Sequence, residues 1–366
     1  MLKLLIVLPE FQRNKIGGNK TAFNYLLKIK NQKIDYTVCS FITKKTSLYP
    51  EIKYFLTNFK SILNFYFFLK KNNFNLIYLN SFFSFYNSIL IILIYKIFIR
   101  QKNVKIIISP RGELFAYFIN ESLKKFFFIK FFKFIYRDFC FLVSNDFEKQ
   151  SISKLINPKS QYIFSDYPTR FYNIKKSTKF ARNKIFKIIF LSRIVKSKNL
   201  LFILKIIKKL KLKLIFDIYG PIVDSTYWAQ CQNEIFSAPK NILINYKGIA
   251  DINYVQSIFF KYDLFCFPSL SENFGYVIYE SLSSGTPVLC DNNLNHLNNI
   301  NSDHLNLFFL KKIKNEKEWK NEILKFSKLS IKEKITFKKK LINYYKSRIY
   351  LDEKIYFIEL IKYLSR

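Results

Sequence analysis

Leu264-Phe-Cys-Phe-Pro-Ser-Leu-Ser-Glu-Asn-Phe-Gly-Tyr-Val-Ile-Tyr-Glu-Ser-Leu-Ser-Ser-Gly-Thr-Pro-Val288 is the stretch whose reading decides the fold. Its leading apolar run ends at Pro268, small polar residues follow at Ser271-Glu272-Asn273, and a segment with apolar faces begins after them. That order reads as strand, loop, helix. The loop then stands at the carboxyl end of a strand, where open α/β sheets bind ligands. The emerging helix offers free N–H groups and the positive end of its dipole, so an anionic ligand is the natural guest.

Within this stretch Glu272 falls in the loop or the first helical turn, and Glu280 about two turns further on, close enough in angle to share a side of the helix. Carboxylates accept hydrogen bonds from hydroxyls, so the pair suits a polyhydroxylated compound that also carries phosphate. Spacing alone leaves a second reading open, in which Glu272 favours the helix N-terminus and Glu280 is solvated surface.

Outward from this stretch, strands alternate with helices on both sides. Upstream lie strands at 185–191, 214–219 and 242–246 with helices at 199–210, 227–236 and 254–261; downstream lie strands at 287–290 and 305–310. The first half repeats the pattern, with strands over 1–8, 36–39, 76–79, 104–108 and 141–143 and helices over 19–30, 58–71, 84–100 and 113–137. Such alternation predicts an α/β chain of two doubly wound, Rossmann-like parallel-sheet domains facing a central cleft. Residues 169–184, polar and basic around few apolar runs, read as the linker between a domain over 1–168 and another over 185–348.

A chain of 366 residues with 50% hydrophobic content can bury two cores of ordinary size. Its five cysteines are scattered, without a Cys-x-x-Cys pair and with only two histidines, which fits a reducing compartment and no structural zinc. The apolar start is too short for a signal peptide and reads as a first buried strand, so a cytoplasmic chain is expected. The net charge of +36 points to nucleic acid or an anionic membrane surface. Lysine far outnumbers arginine, however, and Asn, Ile, Phe and Tyr abound as AT-rich coding DNA would produce, so the charge describes a surface more than a function.

Two helices bear on the membrane question. The apolar run 88–99, broken by Lys96, falls short of the roughly 20 residues that a spanning helix needs and reads as a buried helix. Residues 123–137 interleave lysines with phenylalanines, as in a helix lying in an anionic lipid interface. The alternative is a core helix with its lysines toward solvent, but so many aromatics are hard to bury on one face.

Five loops carry further candidates. Gly17-Gly18, between the first strand and a helix, has the geometry for bringing backbone N–H groups close to phosphate, or is a flexible turn. In Ser109-Pro-Arg-Gly-Glu-Leu114, Arg111 can hold a phosphate or carboxylate bidentately, or pair with Glu113. In Ser192-Arg-Ile-Val-Lys-Ser-Lys-Asn199, Arg193 and Lys198 can both reach a diphosphate, or form a solvated basic loop. Gly220-Pro221 and Lys247-Gly248-Ile249 close the next two strands of the second half.

Ser269, Glu272, Phe274, Gly275, Glu280, Ser281, Gly285, Pro287 and Val288 together resemble the signature of family-4 retaining glycosyltransferases of GT-B fold. The resemblance implies that Glu272, with the backbone near Asn273, Phe274 and Gly275, addresses the donor sugar and its phosphates, and that Glu280 binds the nucleotide ribose. It also implies that Arg193 and Lys198 clamp the pyrophosphate and that Gly17-Gly18 faces the donor diphosphate or the acceptor. Gly220 matches a family loop, and Lys247 and Ile249 line the base. The domains 1–168 and 185–348 then become the acceptor side and the nucleotide-sugar side, with a last helix in 349–366 crossing back. The Pro-Arg-Gly loop, with Asn80-Ser81-Phe82-Phe83, resembles the branch that assembles bacterial surface polysaccharide, namely O-antigen, capsule or exopolysaccharide.

One departure stands out: many relatives carry an N-domain histidine near the donor sugar, whereas His296 and His304 both lie far downstream. The implied activity is retaining hexosyl transfer from a nucleotide-sugar to a glycan or lipid-linked glycan. No metal or other cofactor is expected, since no Asp-x-Asp stands in a suitable loop. Peripheral contact with the inner face of the plasma membrane is expected from the basic aromatic helix. A basic nucleic-acid-binding protein without catalysis is the rival, but two carboxylates at the best-defined ligand loop would repel a nucleic-acid backbone, so no nucleic-acid partner is expected.

Overall fold

The computed structural model describes residues 2–9, 34–44, 48–99, 104–115, 119, 122–163, 185–251, 253–291, 308–311 and 315–346. Gly17-Gly18, the linker 169–184 and the expected last helix lie outside them. The chain separates into two compact units, each built on one parallel sheet.

In the first unit the strands are β1 (Leu2–Val7), β2 (Ile34–Ile42), β3 (Ile52–Leu56), β4 (Leu76–Leu79), β5 (Lys105–Ile108), β6 (Cys140–Val143) and β7 (Ser160–Ile163), in the order β3-β2-β1-β4-β5-β6-β7. Central β4 is buried along its whole length, as a strand covered on both faces must be. The edge strands β3 and β7 are absent from the sequence reading because their half-exposed residues make no continuous apolar run.

Helix α1 (Phe59–Asn72) begins where the Asn58 side chain accepts from Ser61 N–H. Next comes α2 (Leu90–Leu93), flanked by π-helical turns over Phe85–Ile89 and Ile94–Ile99. This segment is only half buried: Ile91, Ile92 and Ile94 face the core, whereas Ile97 and Phe98 are exposed. Among the described residues no helix is long and apolar enough to cross a membrane.

The helix read over 113–137 is shorter in the structure, where α3 spans Leu123–Tyr136 and is capped afresh by Ser122. Glu113 is not helical because its carboxylate organises a loop, described below. Helix α4 (Asp146–Leu155) follows, capped by Asn145.

The second unit runs β8 (Phe186–Leu191), α5 (Leu200–Lys208), β9 (Leu214–Tyr219), α6 (Ser225–Phe236), β10 (Ile242–Tyr246), α7 (Val255–Phe260), β11 (Leu264–Phe267), α8 (Tyr276–Ser283), β12 (Val288–Asp291), β13 (Phe308–Lys311), α9 (Glu316–Ser327) and α10 (Ile331–Tyr344). Its sheet order is β10-β9-β8-β11-β12-β13. Trp319 of α9 is fully buried and meets Phe202 of α5 edge-on at 5.7 Å between ring centroids. All five cysteines are free.

Both sheets reverse their strand order beside the first strand, at β1/β4 and at β8/β11. The loops leaving β8 and β11 therefore diverge from one switch point and share one end of the sheet, the place where such sheets hold ligands.

Gly285 terminates α8 with φ 76°, and a Cβ there would lie 2.8 Å from Lys338 O and 2.9 Å from Ile342 Cδ1 of α10. Lys338 is itself buried, donating to Phe260 O at 2.8 Å and to Tyr262 O. Burial pushes its ammonium down to about 8. The end of the signature helix is thus seated on α10 with no room for a side chain. Gly285→Ala should destabilise the second unit by about 2 kcal/mol or more, from the left-handed backbone and the overpacking together, as read by urea unfolding.

Candidate functional site

The loop after β8 passes through a 3-10 turn, Lys196–Lys198, and enters α5 at Asn199, whose φ of 56° is left-handed. It is tied directly to the loop after β11, because Leu270 N–H donates to Ser197 O at 2.9 Å. Lys198 is buried between them. Its ammonium donates to Glu272 Oε2 at 2.6 Å, to Ser269 Oγ at 3.2 Å and to Ser271 O at 3.2 Å. Those contacts match the three donors an ammonium has. The ring of Phe267 lies 5.5 Å below it, a cation–π contact.

The two residues read as separate ligand contacts, Lys198 for diphosphate and Glu272 for sugar and phosphates, are thus an ion pair. Glu272 sits in the loop rather than on the helix, and its Oε1 also accepts from Asn273 N–H at 3.3 Å. Gly275 is the reason for that placement. It precedes α8 with φ 76°, and a Cβ there would lie 3.2 Å from Glu272 Cγ and 3.0 Å from Ile278 Cδ1. Only Glu280 is on the helix, so the shared helical side expected of the two carboxylates does not exist. Phe274 is buried, stacked on Tyr279 at 4.6 Å.

Glu280 differs from Glu272 in its surroundings. Among the described residues no hydrogen bond or ion pair meets its carboxyl, and burial pushes it up to about 8. Glu280 is half-buried, so its raised carboxyl keeps a side open to which a hydroxyl-bearing ligand can donate. Arg193 is exposed at the start of the β8 loop, with no partner among the described residues.

Gly220, after β9, has φ 140°, and a Cβ there would lie 1.8 Å from Ser192 O. Its N–H donates to Gly248 O at 2.8 Å and its carbonyl accepts from Tyr246 Oη at 2.9 Å. The loops after β8, β9 and β10 are thereby held against one another. Lys247 and Ile249 are exposed beside them, and the backbone N–H of Lys247 donates to Ile218 O at 2.8 Å.

Sequence reasoning missed the polar network beneath these loops. Asp217 Oδ2 accepts from Tyr262 Oη at 2.7 Å and Oδ1 from Asn245 Nδ2 at 2.8 Å, while Tyr262 Oη lies 3.2 Å from Tyr219 Oη. Burial holds the Tyr262 phenol well above its ordinary range. A carboxylate inside the apolar run Leu214–Tyr219 was the signal. The bracing role of Ser269 and Ser271 carried no comparable mark.

Arg111 belongs to the first unit. It stands at φ 54° after β5, and its Nη2 donates to Asn80 Oδ1 at 3.0 Å and Tyr78 Oη at 3.2 Å. Glu113 accepts instead from Ser81 Oγ, Phe82 N–H and Phe83 N–H, each at 2.8 Å, and burial pushes its carboxyl up. Buried Glu148 accepts from Gly112 N–H at 2.6 Å and Ser144 N–H at 2.8 Å. Buried Glu148 and half-buried Glu113, four of whose five donors are backbone N–H groups, thus set the Pro-Arg-Gly loop.

Because the Lys198–Glu272 pair is largely removed from water, Lys198→Met should lower the stability of the second unit by about 3 kcal/mol. Adding Glu272→Gln should restore part of the loss in urea unfolding, since the stranded charge is then gone.

Residues 173–347 match the family of glycosyl transferases group 1. No curated protein matches the chain. Among solved structures it is similar to HepE of Anabaena in complex with UDP and glucose, at 13% identity and TM-score 0.73 over 100% of both chains. It is also similar to sucrose-phosphate synthase of Thermosynechococcus elongatus, at 13% identity and TM-score 0.70 over 100% of this chain and 99% of that one. A glycosyltransferase of Rickettsia africae gives 16% identity and TM-score 0.72 over 99% of this chain and 98% of that one. These likenesses establish the fold, two parallel-sheet Rossmann-like domains as in GT-B glycosyltransferases. With the family match they support a nucleotide-sugar glycosyltransferase.

Proposed function

We propose that the chain is a retaining, metal-independent glycosyltransferase of family-4 type. It moves a sugar from a nucleotide-sugar to a glycan or lipid-linked glycan acceptor in bacterial surface polysaccharide assembly, working at the inner face of the plasma membrane. The observation that carries this reading is the pairing of a cation with a carboxylate, Lys198 with Glu272, at the switch point β8/β11, with the unpartnered Glu280 in the second turn of α8.

The chemical difficulty is departure of a nucleoside diphosphate, whose developing negative charge must be met by fixed donors. Arg193 is free to do so, and the N–H groups opening α8 point their dipole at the same oxygens. Lys198 can exchange a serine contact for a phosphate oxygen without leaving Glu272. Held in its ion pair, Glu272 is suited to orienting sugar hydroxyls rather than to nucleophilic attack. The bond from anomeric carbon to leaving oxygen then breaks, and the bond to the acceptor forms, on one face of the sugar. The acceptor proton passes to the leaving phosphate oxygen, so configuration is retained. Glu280 accepts from the ribose hydroxyls. HepE was solved with UDP, which makes UDP the first nucleotide to try.

The test is calorimetric titration with UDP, GDP, CMP and ADP in the presence of chelator. One diphosphate should bind, Glu280→Ala should weaken it at least about tenfold, and NMR of the product should show the donor's anomeric configuration. Binding of none of them, with salt-dependent capture of DNA instead, would sink the reading in favour of a basic nucleic-acid binder.

Ribose hydroxyls donate to the ionised carboxylate, and the Glu280 carboxyl stands at about 8 in the free protein. Binding therefore releases its proton. Affinity should tighten by up to about tenfold per pH unit as pH rises toward that value and level off above it, and Glu280→Gln should flatten the profile. Arg193→Ala should lower kcat by roughly a hundredfold or more with little change in nucleotide affinity, as expected of a group acting on charge that develops in the transition state.

A further inference from the structure

We infer that the outer face of the first unit's helical layer, formed by α1, the helical residues 85–99 and α3, binds the surface of an anionic lipid bilayer. The inference deepens the reading of a lipid-linked acceptor and rests on it for its purpose, though its evidence is separate.

The three segments connect β3 to β4, β4 to β5 and β5 to β6, which all step the same way along the sheet. Right-handed crossovers stepping in one direction cover one face. They share one core, to which α1 contributes Phe65, α2 Ile91 and α3 Ile129. Their outward sides therefore make one continuous surface.

That surface is apolar to an unusual degree. Of the 14 residues of α3 only Ile129 and Tyr136 are buried. Phe131 is 71% exposed and Phe134 64%, and the neighbouring segments add Phe67 at 62% and Phe98 at 67%. Contiguous exposed rings on this scale mark an interaction site.

Charge identifies the occupant. Not one Asp or Glu occurs from residue 52 to 112, nor within α3, whereas α3 alone carries Lys124, Lys125, Lys130 and Lys133. Cations and rings are intermixed rather than segregated: Lys133 and Arg137 lie over the Phe134 ring at 5.6 and 5.2 Å. Rings that enter the headgroup boundary beside lysines that reach lipid phosphates are what an interfacial surface requires. A second copy of the chain is a poor occupant, since two such faces would bring like charges together.

The test is co-sedimentation of the full chain with vesicles of phosphatidylglycerol and phosphatidylcholine in equal parts, against phosphatidylcholine alone, with UDP titration beside it. The chain should pellet with the anionic vesicles, and less so as salt rises. Lys130→Ser with Lys133→Ser should lose about fivefold per lysine. Phe131→Ser with Phe134→Ser should lose roughly tenfold together, and Phe67→Ser with Phe98→Ser a comparable share, since both lie on the same surface. All of these side chains but the half-buried Lys133 are exposed, and none lies in the second unit's loops, so circular dichroism and nucleotide binding should be unchanged. Equal pelleting of all variants, equal pelleting with neutral vesicles, or capture by duplex DNA but not by vesicles would overturn the proposal. Vesicle binding without nucleotide binding would sink the transferase reading and leave this surface standing.

Discussion

A buried ammonium with every donor committed organises the second unit. Lys198 leaves the first strand of its sheet and ends on three oxygens of the loop that leaves the neighbouring strand across the switch point. The strand order makes the meeting possible, because only at a reversal do two adjacent loops diverge over opposite faces and open a crevice between them. The ion pair then makes it specific. Desolvated charges must be matched donor for acceptor, so Ser269, Ser271 and Glu272 are constrained together rather than singly. Arg193 and the Glu280 carboxyl, at the same end of the sheet, have no side-chain partner among the described residues.

Glycines permit this closeness. At Gly220 the backbone of one loop runs against the carbonyl of Ser192, and at Gly275 it folds back over the Glu272 stem. In each case a side chain would occupy space already filled by the site's own atoms. The first unit reaches a comparable rigidity by other means, since Glu113 and Glu148 accept from five donors between them and hold the Arg111 loop in a left-handed turn.

Much of the fold was legible in the chain. Buried parallel strands read as unbroken apolar runs, and β4, β9, β10 and β11 stand at the expected residues. Edge strands β3 and β7 were not legible, because a strand paired on one side needs no apolar run. Helix α3 starts ten residues later than its pattern suggests, at Leu123 rather than at 113, since Glu113 finds donors in a loop 30 residues upstream that periodicity cannot see. Among the candidate site residues, Glu272, Glu280, Arg193 and Lys198 were singled out by the resemblance of their motifs, since type and spacing alone left a second reading open. That Lys198 and Glu272 touch was not, for 74 residues separate them and only the sheet's crossover brings them together.

By itself the sequence determined the class of the fold, the loops that carry polar chemistry at strand ends, and the cationic aromatic segment over 123–137. These depend on local periodicity and composition, which survive in a linear string. Only the tertiary structure decided which groups are paired and which are left waiting. Pairing depends on distances across strands remote in sequence, and the state of a carboxyl such as Glu280 depends on how much water the surrounding side chains exclude.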